Sequence, residues 1–251
     1  MLKQLFAYIA LCLVVSSCAT LGERLELESA YPMNKMHVPL FSKGGQTELE
    51  ASFTGSLELA GGYSINEFIA AVGSIRIMDP ISSDSNFHQN RFFEIGAGYF
   101  FENRAAPFRV EAFIRIGTGS TNVVDQYKSS IGSFSYNFNK YSLQLNIGLE
   151  WEKFAVATSY RGGYMHLTDV SRTIKSTPGD SVTTNSFVNS EGSSFFDLGV
   201  TVRYMPIPEA GIELQIVPGG MSDAIGFSDP GHAGSEFHLI GALSLVVKFY
   251  Q

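Results

Sequence analysis

Residues 141–151 read Tyr-Ser-Leu-Gln-Leu-Asn-Ile-Gly-Leu-Glu-Trp. Tyr141, Leu143, Leu145, Ile147, Leu149 and Trp151 alternate with Ser142, Gln144, Asn146, Gly148 and Glu150. Successive side chains of an extended chain point to opposite faces, so one face is apolar and the other polar or small, a separation that a helix of the same sequence would scramble. The stretch is also long enough to cross a hydrocarbon layer as a tilted strand.

The same alternation recurs along the chain. Phe196, Leu198, Val200, Val202 and Tyr204 oppose Asp197, Gly199, Thr201 and Arg203, while Val110, Ala112, Ile114 and Ile116 oppose Arg109, Glu111, Phe113 and Arg115. Leu239, Leu243, Leu245, Val247 and Phe249 oppose His238, Ala242, Ser244 and Lys248, with Ile240 and Val246 intruding on the polar side. Strands are expected near 48–55, 57–65, 68–78, 91–102, 108–119, 136–151, 154–168, 193–205, 210–219 and 237–250. The fold class is all-β: an antiparallel up-and-down transmembrane β-barrel over residues 48–251, of about ten strands, with eight as the alternative count.

Alternation alone does not say which face is inside. A soluble calycin-like carrier turns its apolar face inward, whereas a membrane barrel turns it to lipid. Three features favour the membrane. The polar faces carry a nearly balanced set, Arg76, Arg109, Arg115, Arg161, Arg203 and Lys248 against Glu94, Glu111, Glu150, Asp197 and Glu213, suited to pairing in a narrow lumen. Phe92, Phe93, Tyr99, Phe100, Phe101, Tyr141, Trp151, Tyr204, Phe249 and Tyr250 gather near strand ends, where an interfacial girdle belongs. Connections alternate: short around Asn66, at Asn103–Pro107, Glu152-Lys153 and Pro206–Glu209; long at 79–90, 120–135, 169–192 and 220–236, the tight link near Gly55 excepted. Long external loops and short periplasmic turns segregate in this way in outer-membrane barrels.

Composition fits. Charged residues are only 16% of the 251, against roughly a quarter in soluble domains, and hydrophobic content is an ordinary 45%. Lipid-facing and lumen-facing positions average out. The net charge of -7 offers no basic field for nucleic acid, and two cysteines cannot build a disulfide framework.

Met1–Cys18 begins with a lysine at position 3, continues through an apolar stretch from Leu5 to Val15 too short to span a bilayer, and ends Val15-Ser16-Ser17-Cys18. That ending resembles the lipobox of bacterial lipoproteins, which implies a signal peptide over 1–17, acylation of Cys18 and a tether over 18–47. An ordinary signal peptide cleaved near Cys18 or Ala19 is the alternative. Cys12 leaves with the signal. The even strand count puts Cys18 and Gln251 on the short-turn side, which would suit an acyl anchor in the inner leaflet. Within the tether, Pro32, Pro39 and Gly44-Gly45 interrupt any period, and Met36–Phe41 is expected to dock on the folded part.

The lipobox, Val38-Pro39-Leu40 with the glycine-containing linker and Glu48-Leu49-Glu50, the segment His88–Tyr99 and the closing strand together resemble an outer-membrane β-barrel lipoprotein group of Bacteroidota. The resemblance covers nearly the whole chain and implies a barrel in the bacterial outer membrane, anchored through the lipidated cysteine, with no established reaction. Outer-membrane lipids and the barrel-assembly and lipoprotein-processing machineries are its implied partners, and an extracellular ligand at the loops is a further candidate. The last strand is similar to the assembly signal of such barrels, although Gln251 follows the usual terminal aromatic, Tyr250.

Sites of chemistry are few. His88, His166, His232 and His238 fall toward one rim, the constellation a lipid hydrolase or acyltransferase would need, but no Gly-x-Ser-x-Gly elbow accompanies them. His232, Glu236 and His238 match no zinc spacing. No catalytic residue, metal or cofactor is assigned. Asp180-Ser181-Val182 resembles the short O-glycosylation site of Bacteroidota and makes Ser181 a modification candidate. A narrow lumen crowded with Arg and Glu is expected to be closed, leaving a structural or surface-interaction role.

Overall fold

Strands that are apolar on one face and polar on the other can satisfy every backbone group in lipid only by closing on themselves. A computed structural model describes residues 35–53, 57–77, 87–102, 106–127, 130–175, 183–187, 191–221 and 236–250, and its strands do close. They are β1 (Gln46–Phe53), β2 (Leu57–Ser64), β3 (Ile69–Ile77), β4 (Phe87–Glu102), β5 (Phe108–Tyr127), β6 (Ser130–Glu150), β7 (Phe154–Lys175), β8 (Thr183–Phe187), β9 (Glu191–Ile207), β10 (Ala210–Met221) and β11 (Glu236–Tyr250). Each pairs antiparallel with its neighbour from β1 to β7, β7 passes to β9, β9 to β10 and β10 to β11, and β11 pairs β1. The barrel has ten strands, with β8 paired to the upper part of β7 as an addition to the wall.

Leu143 on β6 is 55% exposed while Gln144 and Asn146 are fully buried, which settles the sidedness. The apolar face looks outward on every strand with described side chains, and the polar face fills the interior. This excludes the calycin-like carrier, whose greasy face would be inside. The outward face carries Ile114, Leu145, Leu198, Ile216 and Leu245, a surface that suits hydrocarbon and not water.

Three expectations need correction. Strands β4 to β7 run beyond the ends read from the sequence: β5 and β6 continue through most of 120–135, and β7 with β8 occupies much of 169–192. Once a hairpin leaves the bilayer both faces meet water, so backbone pairing continues without apolar alternation to announce it. Asp169 marks such a place: it has a left-handed φ of 55° beside the register shift between Ser135 and Asn137, and its Oδ2 accepts a hydrogen bond from Asn137 Nδ2 at 2.8 Å. Second, Phe92 and Phe100 point inward and are buried, so they do not belong to the aromatic girdle, whereas Phe93, Tyr99, Phe101, Tyr141, Trp151, Tyr204, Phe249 and Tyr250 are outward.

The third correction concerns the tether. Met36–Phe41 docks on the folded part as expected, but it does so inside the lumen, and the first strand already begins at Gln46, ahead of the boundary at 47/48. Gly45, at φ 77°, donates its amide to Ser64 O at 2.8 Å and reverses the chain at the short-turn rim beside Asn66. Residues 41 back to 35 then run up the lumen. Asn66 itself builds the adjacent β2–β3 turn by accepting the amides of Phe68 and Ile69 on its side-chain oxygen, both at 2.8 Å.

Candidate functional site

The lumen is the site, and the chain's own segment Lys35–Phe41 occupies it. Lys35, Met36, His37, Val38, Leu40 and Phe41 are each at most 2% exposed. Their sequence alternates in character. Met36, Val38 and Leu40 pack into an apolar cluster with Ala155, Ala157 and Val217, while Lys35 and His37 face acids on β1, β2 and β10. At Leu40 the backbone takes a left-handed φ of 53°, interrupting the extended run, and Leu40 and Phe41 are both buried, in different clusters.

Glycines of the wall make room for this plug. A methyl group on Gly62 would lie 2.7 Å from Phe41 Cζ, one on Gly148 2.7 Å from Leu40 Cδ2, and one on Gly199 closer still to Met36 Cε. Real carbon atoms do not approach so closely, so each glycine is a notch that holds one apolar side chain of the plug.

Polar groups of the wall bind the plug's backbone. Gln215 clasps Met36 from both sides, its Oε1 accepting the amide and its Nε2 donating to the carbonyl, each at 2.9 Å. Gln144 Nε2 donates to His37 O at 2.8 Å, and Glu111 Oε1 accepts the Phe41 amide at 2.7 Å. Arg203 is the centre. Its guanidinium donates to Val38 O at 2.7 Å and Pro39 O at 3.5 Å, to both oxygens of Glu48 at 3.0 Å and, through Nε, to Glu213 at 2.8 Å. A buried extended peptide has no other source of hydrogen-bond partners, so these side chains replace the water and strand neighbours it lacks.

Cations and carboxylates are interleaved within this network. Lys35 Nζ contacts Glu50, lies 2.5 Å from Glu213 and donates to Ser244 Oγ at 2.8 Å; Lys248 lies 2.7 Å from Glu150 and 3.6 Å from Glu48. His37, Glu48 and Glu50 bring possible ligand atoms within 4.8 Å of one another. The protein's own cations already serve those carboxylates, Lys35 at Glu50 and Arg203 with Lys248 at Glu48, so the trio is read as part of the ion-pair network and not as a metal centre.

A second network spans the wall without involving the plug's backbone. Arg115 pairs with Glu94, and Arg161 reaches Asp197 through Nε at 2.8 Å and a terminal nitrogen at 2.6 Å. Lys140 Nζ sits 4.4 Å from the ring centre of Phe195 and 5.5 Å from that of Phe92, a buried cation between aromatic faces. Phe92 stacks on Phe138 at 5.8 Å, and Tyr136, Met165, Leu167 and Val170 join the same apolar cluster toward the long-loop side. Arg115 donates to Gln144 at 2.7 Å, Gln144 to Asn146 at 2.9 Å and Asn146 to Glu111 at 2.9 Å, which connects the two networks.

Of the lumen residues read from the sequence, Arg76, Glu94, Arg109, Glu111, Arg115, Arg161, Asp197, Arg203, Glu213 and Lys248 are buried, and Glu150 is partly exposed at the short-turn rim. There Arg109 pairs with Glu102 at 2.9 Å, beside a cavity of about 280 Å³ lined by Trp151, Phe154 and Tyr250 among others. The sequence reading missed Lys35, His37, Glu48, Glu50, Gln144, Asn146 and Gln215. A signal for Glu48 and Glu50 lies in their two-residue spacing on β1; Gln144, Asn146 and Gln215 carry no formal charge, so an inventory of charges on the polar faces does not include them.

The rim histidines do not form a constellation on one strand pair. His166 lies on the outward-facing register of β7, opposite Asn139 and Gly192, while His88 on β4 and His238 on β11 are each separated from β7 by two further barrel strands. His232, Ser181 and Cys18 lie outside the described residues.

No protein-family model matches the chain, and no curated protein does. Among solved structures it is similar to the outer membrane protease OmpT from Escherichia coli, with a TM-score of 0.53 and 10% identity over 82% of this chain and 94% of that one. The translocator domain of the autotransporter NalP from Neisseria meningitidis follows, with a TM-score of 0.44 and 11% identity over 81% and 85% of the two chains. The KdgM porin gives a TM-score of 0.34 and 8% identity over 82% and 99%. The likeness to OmpT is one of fold: this chain has the architecture of an outer-membrane β-barrel.

Proposed function

We propose that the protein is a lipid-anchored β-barrel of the bacterial outer membrane whose lumen is permanently closed by its own N-terminal segment, and whose work is done by the surface it presents on the long-loop side, as a structural or contact element of the envelope. The observation that carries this reading is the plug. Lys35–Phe41 is seated in glycine notches and bound through its backbone by Arg203, Gln144, Gln215 and Glu111. A conduit for solutes would not fill its lumen with a bonded peptide and buried ion pairs. The lipobox-like Val15-Ser16-Ser17-Cys18 supports the anchor in this reading, since acylation of Cys18 with two or more chains would hold the protein stably at the membrane.

Wild-type protein in planar bilayers is therefore expected to be electrically silent, and steps of porin magnitude would overturn the closed-lumen reading. Acyl labelling that persists in Cys18→Ala would overturn the lipid anchor independently.

A further inference from the structure

The plug has a direction. Phe41 packs with Ala70, Phe100 and Phe113 and gives its amide to Glu111, near the short-turn ends of β3, β4 and β5. Lys35, at the other end of the plug, gives its amide at 3.3 Å to Glu58, which is one residue from the long-loop end of β2. The segment therefore enters at the short-turn rim and climbs.

We propose that the chain preceding Lys35 leaves through the long-loop mouth, so that Cys18 and residues 19–34 lie on the same side of the membrane as the long loops and not at the short-turn rim where β1 begins. The alternatives are closed by packing and by hydrogen bonding. A return to the short-turn side needs a second pass of backbone through the level of Met36–Phe41, where the plug side chains are at most 2% exposed, the wall side chains clustered on Phe41 are buried as well, and the glycine notches are already taken. A lateral exit needs a gap in the wall, yet every neighbouring pair of the ten strands is hydrogen-bonded, including the closure of β1 Gln46–Phe53 on β11.

The mouth itself is asymmetric. Among the described residues the wall is low over β1–β3, with 8, 8 and 9 residues, and high over β5–β7, with 20, 21 and 22, so Lys35 stands beside the low side. The sixteen residues from 19 to 34 can span up to roughly 55 Å when extended, ample to cross that edge and reach the nearer leaflet.

Taking that side as the cell exterior rests on the orientation proposed above. An acyl chain on Cys18 would then sit in the outer leaflet, opposite to the inner-leaflet position expected from strand parity.

The test uses three full-length proteins, each with one epitope: between Leu21 and Gly22, in the 222–230 loop, or in the Asn103–Ala105 turn. Each is probed with antibody on intact and on permeabilised cells. The Leu21 epitope is expected to share the accessibility of the 222–230 epitope. If it follows the turn epitope instead, the proposal fails. If the 222–230 epitope is hidden and the turn epitope exposed, the orientation assumed for the function fails, while the Leu21 epitope still supports the shared exit by matching the loop or overturns it by matching the turn.

Discussion

The two charge networks of the lumen use the same residue types for different ends. Around Arg161 and Lys140, charges on the wall meet other charges and aromatic rings on the wall, and the result is a cross-brace between strands. Around Arg203, the same chemistry is organised about a peptide: one guanidinium serves two carboxylates and two backbone carbonyls of the plug. Wall-to-wall pairing stiffens a barrel. Wall-to-plug pairing also decides whether the barrel is open. The difference lies in what each network would leave unpaired if its central arginine were removed.

Arg203→Met gives the sharpest break. It leaves Glu48 and Glu213 buried without their main partner, a loss of about 3–5 kcal/mol on general grounds, and frees the Val38 and Pro39 carbonyls. A lower denaturant midpoint of the reconstituted barrel is expected together with the appearance of conductance. Arg161→Met should cost a similar amount, again about 3–5 kcal/mol, because Asp197 Oδ2 loses the two guanidinium nitrogens that meet it. Here the bilayer recording should remain silent. Conductance from both variants, or from neither, would erase the distinction between the networks.

A smaller effect is expected from Gly199→Leu, which adds no charge and fills the notch holding Met36. Overpacking of this kind costs about 1–3 kcal/mol. If the notch seats the plug, residues near Met36 should become more susceptible to protease in the folded, detergent-solubilised barrel, while its heat-dependent gel mobility is retained. The smallest effect belongs to the rim. Glu102→Gln removes the partner of Arg109 from a pair that is partly open to solvent, so a change below about 1 kcal/mol and no conductance are expected from the same unfolding and bilayer measurements.

These contrasts also show what kind of information the chain carries openly. The alternation at Tyr141–Trp151 and Phe196–Tyr204 revealed the strands, because lipid on one side and a packed lumen on the other impose opposite requirements on adjacent residues. Asn66 and the short turns gave the rims. Where that two-sided constraint ends the signal ends too, and the extensions of β5 to β7 passed for loops. The plug was harder to read. Lys35-Met36-His37-Val38-Pro39-Leu40-Phe41 has no strand partner, contains a proline and looks like linker; only its apolar side chains hinted that it would dock. Gly62, Gly148 and Gly199 look like ordinary small residues on a crowded face until the side chains above them are placed.

By itself, then, the sequence determined the strands, their two unlike faces and most of the charges that share the polar face, because those follow from a period of two, while the sidedness was settled by burial in the structure. Only the tertiary structure decided that the interior is completed by the protein's own N-terminal segment, which network holds it and which way it runs. Those facts depend on contacts between residues such as Val38 and Arg203, 165 positions apart, and no local period records them.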